Sequence, residues 1–243
     1  QLIAAQRSAA WGEVARRLAH EIKNPLTPIQ LSAERLQIKL ADRLPAGDRE
    51  ILERSTATIV SQVEAMKNMV NDFRDYARLR QPALAPFDLN ALVREVLALY
   101  ESSHARLSAA LGAGELPVAG DAAQLRQVIH NLLRNGEDAL EKEPQPLIEI
   151  ETGRAEGMAL LSVRDNGPGF APDILARAFE PYVTSKARGT GLGLAIVRKI
   201  IDDHHGEIRL ANGVAGGAEV RIRLPLARDG KRDAGSEEKG VTR

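Results

Sequence analysis

The feature that most limits how this chain can fold is a three-and-four spacing of apolar residues along its first third. Trp11, Val14, Leu18, Ile22, Ile29, Leu36 and Leu40 keep that spacing. So do Leu52, Ile59, Val63, Met66, Val70, Phe73 and Ala77. Residues three and four apart share a helix face, so each run predicts one long amphipathic helix. Between the runs, Leu44-Pro45-Ala46-Gly47-Asp48 has the composition of a helix–helix turn, with Asp48 as the cap of the second helix. Helices over residues 1 to about 42 and about 48 to 79 then form an antiparallel hairpin. Such a hairpin cannot bury both apolar seams alone. The simplest solution is a second copy, making a dimeric four-helix bundle. Met66 and Phe73 then read as core residues.

The first helix also carries a group outside its stripe. His20 lies two residues after Leu18, about 200° round the helix, so it faces water while the helix is held from the other side. Asn24, four residues on, shares its face, and Glu21 flanks both. An exposed histidine alone is most often only a solvated side chain. Pro25 and Pro28 add to the argument. Each removes a backbone donor and frees a carbonyl four residues back, those of Glu21 and Asn24, at about 3 kcal/mol in a helix interior. A helix built only for packing has no reason to carry two such costs beside one histidine. They predict a bend there.

Lysine plus arginine and aspartate plus glutamate balance at 33 each, so charge gives no reason to expect nucleic acid or an anionic membrane as partner. There is no cysteine, which removes disulfides and thiolate chemistry. No apolar run approaches the roughly 18 residues of a membrane span, and no signal peptide is evident. The chain begins with Gln1 inside a helical pattern, as a fragment of a longer protein would.

Gln81-Pro82-Ala83-Leu84-Ala85-Pro86 breaks the second helix and reads as a linker. The texture then changes. Phe87-Asp88-Leu89-Asn90 leads into a helix to about His104. A strand comes next near 106–111, and Gly120-Asp121 caps a helix to about Glu141. Leu147–Thr152 and Met158–Arg164 read as strands. A short helix near 172–178, a helix over about 191–205 and strands near 206–211 and 217–224 complete the pattern. Mixed elements of this kind predict a two-layer α/β sandwich. From Arg228 onward the chain is charged and glycine-rich, and is expected to be disordered. The domain plan is therefore 1–80, a linker at 81–86, 87–227, and a tail at 228–243.

Three clusters in the second part carry chemistry. Asn131 and Asn135 are four apart on one helix, offering neutral oxygens to a hard cation such as Mg²⁺. Asp165-Asn166-Gly167-Pro168-Gly169 comes directly after a strand. An acid there can accept from an exocyclic amine, and the glycines let backbone approach a planar ligand. Gly189-Thr190-Gly191-Leu192-Gly193-Leu194 opens a helix, where free N–H groups and the helix dipole suit phosphate. No strand immediately precedes it and no Gly-Lys-Ser/Thr comes after it, so it fits neither a Rossmann nor a Walker motif.

Taken in order, these segments resemble the catalytic core of two-component sensor histidine kinases. His20-Glu21-Ile22-Lys23-Asn24-Pro25-Leu26 is similar to the phosphoacceptor box. Asn131–Asn135, Asp165–Gly169, Phe179-Glu180-Pro181-Tyr182 and Gly189–Leu194 are similar to the N, G1, F and G2 boxes. The resemblance covers about residues 10–227. Thr27-Pro28-Ile29-Gln30 and the short stretch from Pro181 to Gly189 resemble nitrogen-regulation kinases of the NtrY type.

The resemblance implies an α+β chain, with a helical-hairpin dimerisation domain and then a two-layer α/β sandwich of Bergerat (GHKL) ATP-binding type. It implies that His20 is the phosphorylated nucleophile and that Glu21 orients it and takes its proton. Asn24 would position water for dephosphorylating the partner. Asn135 would ligate Mg²⁺ with Asn131 in support, and Asp165 would bind the adenine amine with Gly167 and Gly169 shaping the pocket. Lys186 and the backbone at Gly191, Leu192 and Gly193 would hold the phosphates of ATP. The implied partners are a second copy and a response regulator receiver domain. The implied setting is the cytoplasmic portion of a membrane-anchored sensor. Gly136 and Asp138 depart from the family pattern. Glycine at 136 is expected to loosen its helix by about 1 kcal/mol relative to alanine, and an acid at 138 would oppose phosphate if it pointed inward.

Two other functions share parts of this pattern. A GHKL-type ATPase would hydrolyse ATP without phosphohistidine, and a degenerate nucleotide-binding scaffold would do neither. The His20 box and the upstream hairpin argue against the ATPase, while Gly136 and Asp138 leave the scaffold open, set against a nucleotide pocket that looks complete. The remaining histidines, His104, His130, His204 and His205, read as structural or solvated, with His204 and His205 suited to the negative end of a helix.

Overall fold

The computed structural model describes residues 2–77, 80–184, 186, 189–213 and 216–227, with side chains from residue 18 onward. The expected tail at 228–243 lies outside the described residues, as do the side chains of Trp11 and Val14. Packing divides the chain into two compact units. One is Gln1–Gln81 with Ala171–Val197, and the other is Pro82–Phe170 with Arg198–Arg243.

In the first unit, helix α1 spans Leu2–Leu40, a 3-10 turn Ala41–Arg43, and helix α2 Ala46–Ala77. Helix α1 runs unbroken through Pro25 and Pro28, so the expected bend does not interrupt it. Helix α2 starts before the expected cap. The Arg49 N–H donates to the Pro45 carbonyl at 2.9 Å. Asp48 therefore lies inside the first turn, where a carboxylate suits the positive helix end.

The seam of this hairpin is not the large-apolar stripe. Its buried positions are Ala19, Leu26 and Ala33 on α1, and Thr56, Val63 and Val70 on α2, each stepping by seven as in a coiled coil. Small alanines let two helices approach closely. Leu18, Ile22, Ile29 and Leu36 flank that seam and stay 40–49% exposed. Polar pairs border it. Lys23 Nζ donates to Asn71 Oδ1, and Lys67 Nζ to Gln30 Oε1 at 2.6 Å. Thr56 Oγ1 lies 2.8 Å from the Leu52 carbonyl and 3.4 Å from Gln37 Oε1.

The second unit holds strands β1 Ala85–Asp88, β2 Arg106–Ala110, β3 Pro117–Gly120, β4 Leu147–Ala155, β5 Met158–Asp165, β6 Glu207–Asn212 and β7 Ala218–Pro225. Its helices are α3 Leu89–Ala98 and α4 Ala122–Ala139. The main sheet has the order β2-β4-β5-β7-β6. Within it only β2 and β4 pair in parallel. Strict alternation sends Ile148, Ile150, Leu161, Val163, Ile222 and Leu224 to a buried face, while Glu149, Arg164, Arg221 and Arg223 lie on the other. Val128, Ile129, Leu132 and Leu133 give α4 its buried stripe. This is the expected helix-on-sheet sandwich.

Three local expectations are corrected. The segment read as a linker ends in β1, which pairs antiparallel with β3. Strand β3 itself was not expected. Four residues opening on a proline carry too little alternation to signal a strand. Helix α3 stops at Ala98 rather than near His104. Beyond it Ser103 Oγ accepts the Ala105 N–H, the local side-chain bonding that competes with helix. Two further helices, α5 Pro172–Arg177 and α6 Gly193–Asp203, complete the described elements.

Candidate functional site

On α1, His20, Glu21 and Asn24 are all exposed. The histidine and the asparagine stand one turn apart on the same helix face, away from the Ala19–Leu26–Ala33 seam. This is the mounting expected of a group that must meet a separate reactant.

In the second unit, the end of β5 and the C-terminal half of α4 form one site. Asp165 Oδ1 accepts the Gly167 N–H at 3.0 Å and the Ala218 N–H at 3.2 Å. Its Oδ2 has no hydrogen-bond partner among the described residues, so an acceptor is held in place for a ligand's donor. A Cβ on Gly136 would lie 3.9 Å from the Asp165 Cβ, which brings α4 against this turn. Gly167 is packed under Ala139 and Leu140, where a Cβ would meet the Ala139 carbonyl at 3.3 Å. Gly169 has φ +73°, and a Cβ there would lie 2.8 Å from Asn212 Oδ1. Gly169 is thus required by its backbone conformation and close approach, while a Cβ at Gly167 would press on its neighbours.

On α4, Asn131 Nδ2 is buried without a hydrogen-bond partner, while Asn135 is half-buried. A buried donor left open on α4 and a fixed carboxylate acceptor at the end of β5 each suit a polar ligand group. Amide oxygens on the same helix face fit Mg²⁺, which takes hard oxygen ligands and commonly completes its shell with phosphates and water. The residues present therefore fit a magnesium nucleotide. Gly136 is explained by packing. A Cβ there would sit 2.8 Å from Ile148 Cδ1. Asp138 is exposed.

In the first unit, Tyr182 and the glycine loop are clasped. Tyr182 has φ +68°, and its N–H donates to the Gly191 carbonyl at 3.0 Å. Gly191 has φ +67°, and any Cβ would fall 2.5 Å from the Tyr182 carbonyl carbon. Leu192 is fully buried and its N–H donates to Thr190 Oγ1 at 3.2 Å. Gly193 starts α6. Lys186 is half-buried, with its N–H on Thr184 Oγ1 at 3.1 Å.

Several residues of these sites escaped the sequence reading. Asn212 clamps the turn after Gly169. Its Oδ1 accepts the Phe170 N–H and its Nδ2 donates to the Phe170 carbonyl, both at 2.8 Å. Gly217 has φ +80°, with its Cβ position 1.8 Å from the Asp165 carbonyl oxygen. The pair Gly216-Gly217 was the available signal. His204 corrects an expectation. It is buried, its Nδ1 lies 2.7 Å from the Ile200 carbonyl, and its Nε2 accepts the Asp121 N–H at 2.9 Å. A carbonyl can only accept, so the proton is on Nδ1 and the ring is neutral. It is a bridge to the Asp121 cap of α4, not a positive charge at a helix end.

Comparison with known proteins supplies the family. Residues 10–82 match the His Kinase A (phospho-acceptor) domain. Residues 120–228 match the histidine kinase-, DNA gyrase B- and HSP90-like ATPase. The catalytic domain of histidine kinase ThkA is 31% identical with a TM-score of 0.54, over 59% of this chain and 95% of that one. The chain belongs to the sensor histidine kinases. It is 40% identical over 239 residues to nitrogen regulation protein NtrY of Azorhizobium caulinodans, covering 95% of this kinase chain and 30% of that protein. ThkA in complex with the response regulator TrrA aligns over 91% of this chain and 64% of that one, at 27% identity and a TM-score of 0.63. ShkA in complex with AMPPNP aligns over 89% of this chain and 46% of that one, at 27% identity and a TM-score of 0.64. The kinase chain thus spans about a third of the length of the curated relatives it matches. No helix among its described residues is long and apolar enough to cross a membrane.

Proposed function

We propose that this chain is the core of a nitrogen-regulation-type sensor kinase, which moves the γ-phosphoryl group of ATP to His20 and then to an aspartate of a separate response regulator. The observation that carries the reading is the joint match of a phospho-acceptor module and an ATPase module in one chain. The exposed His20 and the open polar groups of Asp165 and Asn131 support it.

In this reading Asp165 Oδ2 accepts from the adenine amine, and Gly167 and Gly169 leave room for the ring. Asn135 holds Mg²⁺ with Asn131 in support, and the ion would neutralise phosphate charge. Lys186 and the backbone at Gly191, Leu192 and Gly193 hold the phosphates. Phosphoryl transfer is then governed by positioning and charge neutralisation. Neutral imidazole is abundant near pH 7. The unprotonated ring nitrogen of His20 bonds to the γ-phosphorus as the bond to the bridging oxygen of ADP breaks. The imidazolium proton passes to Glu21. The phosphoramidate is reactive enough to pass its phosphoryl group to a carboxylate. Asn24, one turn along, would position water for the reverse signal, dephosphorylation of the regulator.

The domain plan stands as part of this proposal, with the phosphotransfer hairpin at 1–80 and the ATP-binding domain at 87–227. The hairpin works as a homodimer. Leu18, Ile22, Ile29, Leu36, Ile59 and Met66 are 40–49% exposed and flank the hairpin seam, and a four-helix bundle would cover them. The parent protein would be membrane-anchored, with this part on the cytoplasmic side.

The test is incubation with γ-labelled ATP and Mg²⁺, beside His20→Ala and Asn135→Ala. Acid-labile, alkali-stable label on the parent alone is expected. Hydrolysis of ATP with no label on the protein would overturn the reading.

A further inference from the structure

Among the described residues, a hydrogen bond ties the glycine loop to the hairpin. Thr190 Oγ1–H donates to Asp72 Oδ2 at 2.7 Å, joining residues 118 apart in sequence within the same unit. The same hydroxyl oxygen accepts the Leu192 N–H at 3.2 Å. So the Thr190 hydroxyl is used at both ends, as donor to α2 and as acceptor for the turn that opens α6. The contact puts a carboxylate at the entrance of the segment that opens α6, where the helix dipole attracts negative charge. An anion of this chain's own already engages the loop.

We propose that Asp72 is a carboxylate latch that competes with the polyphosphate of nucleotide for the glycine loop. This rests on reading Gly189–Gly193 as the phosphate-holding loop. Two negative groups at one low-capacity donor site exclude each other, by repulsion and by competition for the Thr190 proton. The loop therefore has two states. In one, Asp72 holds Thr190 and anionic ligand binds weakly. In the other, Thr190 is free of α2 and ligand binds fully. Any movement of α2 that withdraws Asp72 raises nucleotide affinity, and bound nucleotide favours withdrawal by the same factor. Thr190 sits in a sequence motif, but Asp72 carries no motif, so only the fold brings this acid to the loop.

The experiment measures the dissociation constant for AMPPNP with Mg²⁺ in the full chain, for the parent, Asp72→Asn and Asp72→Ala. Asparagine keeps an acceptor for the Thr190 hydroxyl and removes the charge, and it is close in size, so it also serves if alanine impairs folding. The latch predicts that Asp72→Ala tightens binding by roughly fivefold or more, the lower end of common coupling between sites. Asp72→Asn should fall between it and the parent. Amide exchange at Leu192 without nucleotide should be faster in Asp72→Ala, because the hydroxyl that accepts this N–H loses its anchor. Binding in both folded variants that is equal to or weaker than the parent's overturns the latch. A folded parent that binds no AMPPNP overturns instead the reading of the loop as a phosphate holder.

Discussion

Replacing Gly217 by alanine is the sharpest structural test of how the Asp165 turn is built. At this position φ is +80°, and an added Cβ would lie 1.8 Å from the Asp165 carbonyl oxygen and 2.8 Å from the carbonyl carbon. An ordinary contact of that type needs about 3.4 Å, so the backbone must retreat by more than 1 Å. Two bonds are lost in that retreat. The Gly213 N–H donates to the Gly217 carbonyl at 2.9 Å, and the Ala218 N–H donates to Asp165 Oδ1 at 3.2 Å. At about 1 kcal/mol each, with about 1 kcal/mol for a side chain in the left-handed region, the cost is about 3 kcal/mol. For a chain of this size that lowers the melting temperature by roughly 10 °C. Nucleotide binding should weaken further, because Asp165 loses one of the two bonds that aim it. Gly153→Ala is the control, since no atom lies within 4 Å of the added Cβ there. Thermal unfolding monitored by circular dichroism, with AMPPNP binding measured below the transition, reads both effects. A Gly217→Ala protein melting within 2 °C of the Gly153→Ala control would refute the reasoning.

Three further outcomes are expected from the same geometry. Asp165→Asn should keep the turn, because one oxygen can still accept from Gly167 and Ala218. It should weaken nucleotide binding by roughly 30-fold, about 2 kcal/mol, by setting a donor against the adenine amine; calorimetric titration showing parental affinity would count against the assignment. Gly136→Ala would gain about 1 kcal/mol from helix propensity, but its Cβ falls 2.8 Å from Ile148 Cδ1 in a fully buried place. Overpacking of about 1–3 kcal/mol outweighs that gain. Chemical denaturation should show a loss that Ile148→Val partly reverses, and a more stable Gly136→Ala protein would contradict this. Burial first, then the charge of Arg126, holds the His130 imidazole below the ordinary histidine range. Below about pH 6.5 the unfolded chain therefore takes up a proton that the folded chain resists. Stability present above that pH is lost as pH falls through it, and His130→Asn should flatten the decline; parallel stability–pH curves would refute it.

Much of this architecture could be read from residue pattern, and the departures have physical causes. Long helices and the alternating strands β4, β5 and β7 announced themselves because period and length agreed. The hairpin seam did not. Weighting by side-chain size favours Leu18 and Ile29, whereas close helix approach selects Ala19 and Ala33. The large residues are left on the flank, where a second copy would cover them. Strand β3 is too short to show a period. At the candidate site, Asp165 and the glycines stood out because acids and glycines after a strand are chemically informative in sequence. Asn212, Gly217 and Asp72 act through neighbours 40 or more residues away, so no local pattern contains them. His204 is structural, one of the two readings its sequence allows, but its helix end suggests charge, while the fold supplies a backbone donor that only a neutral ring can accept.

The central claim is that an exposed imidazole on the hairpin receives phosphate from nucleotide held by the ATPase module. Mass spectrometry under alkaline conditions, on the chain after incubation with magnesium ATP, tests it most directly. The account predicts a single phosphoryl group, located on His20, lost on brief acid treatment and transferred when a cognate receiver domain is added. Phosphate found only on serine, threonine or another histidine, with His20 unmodified at saturating nucleotide, would contradict it.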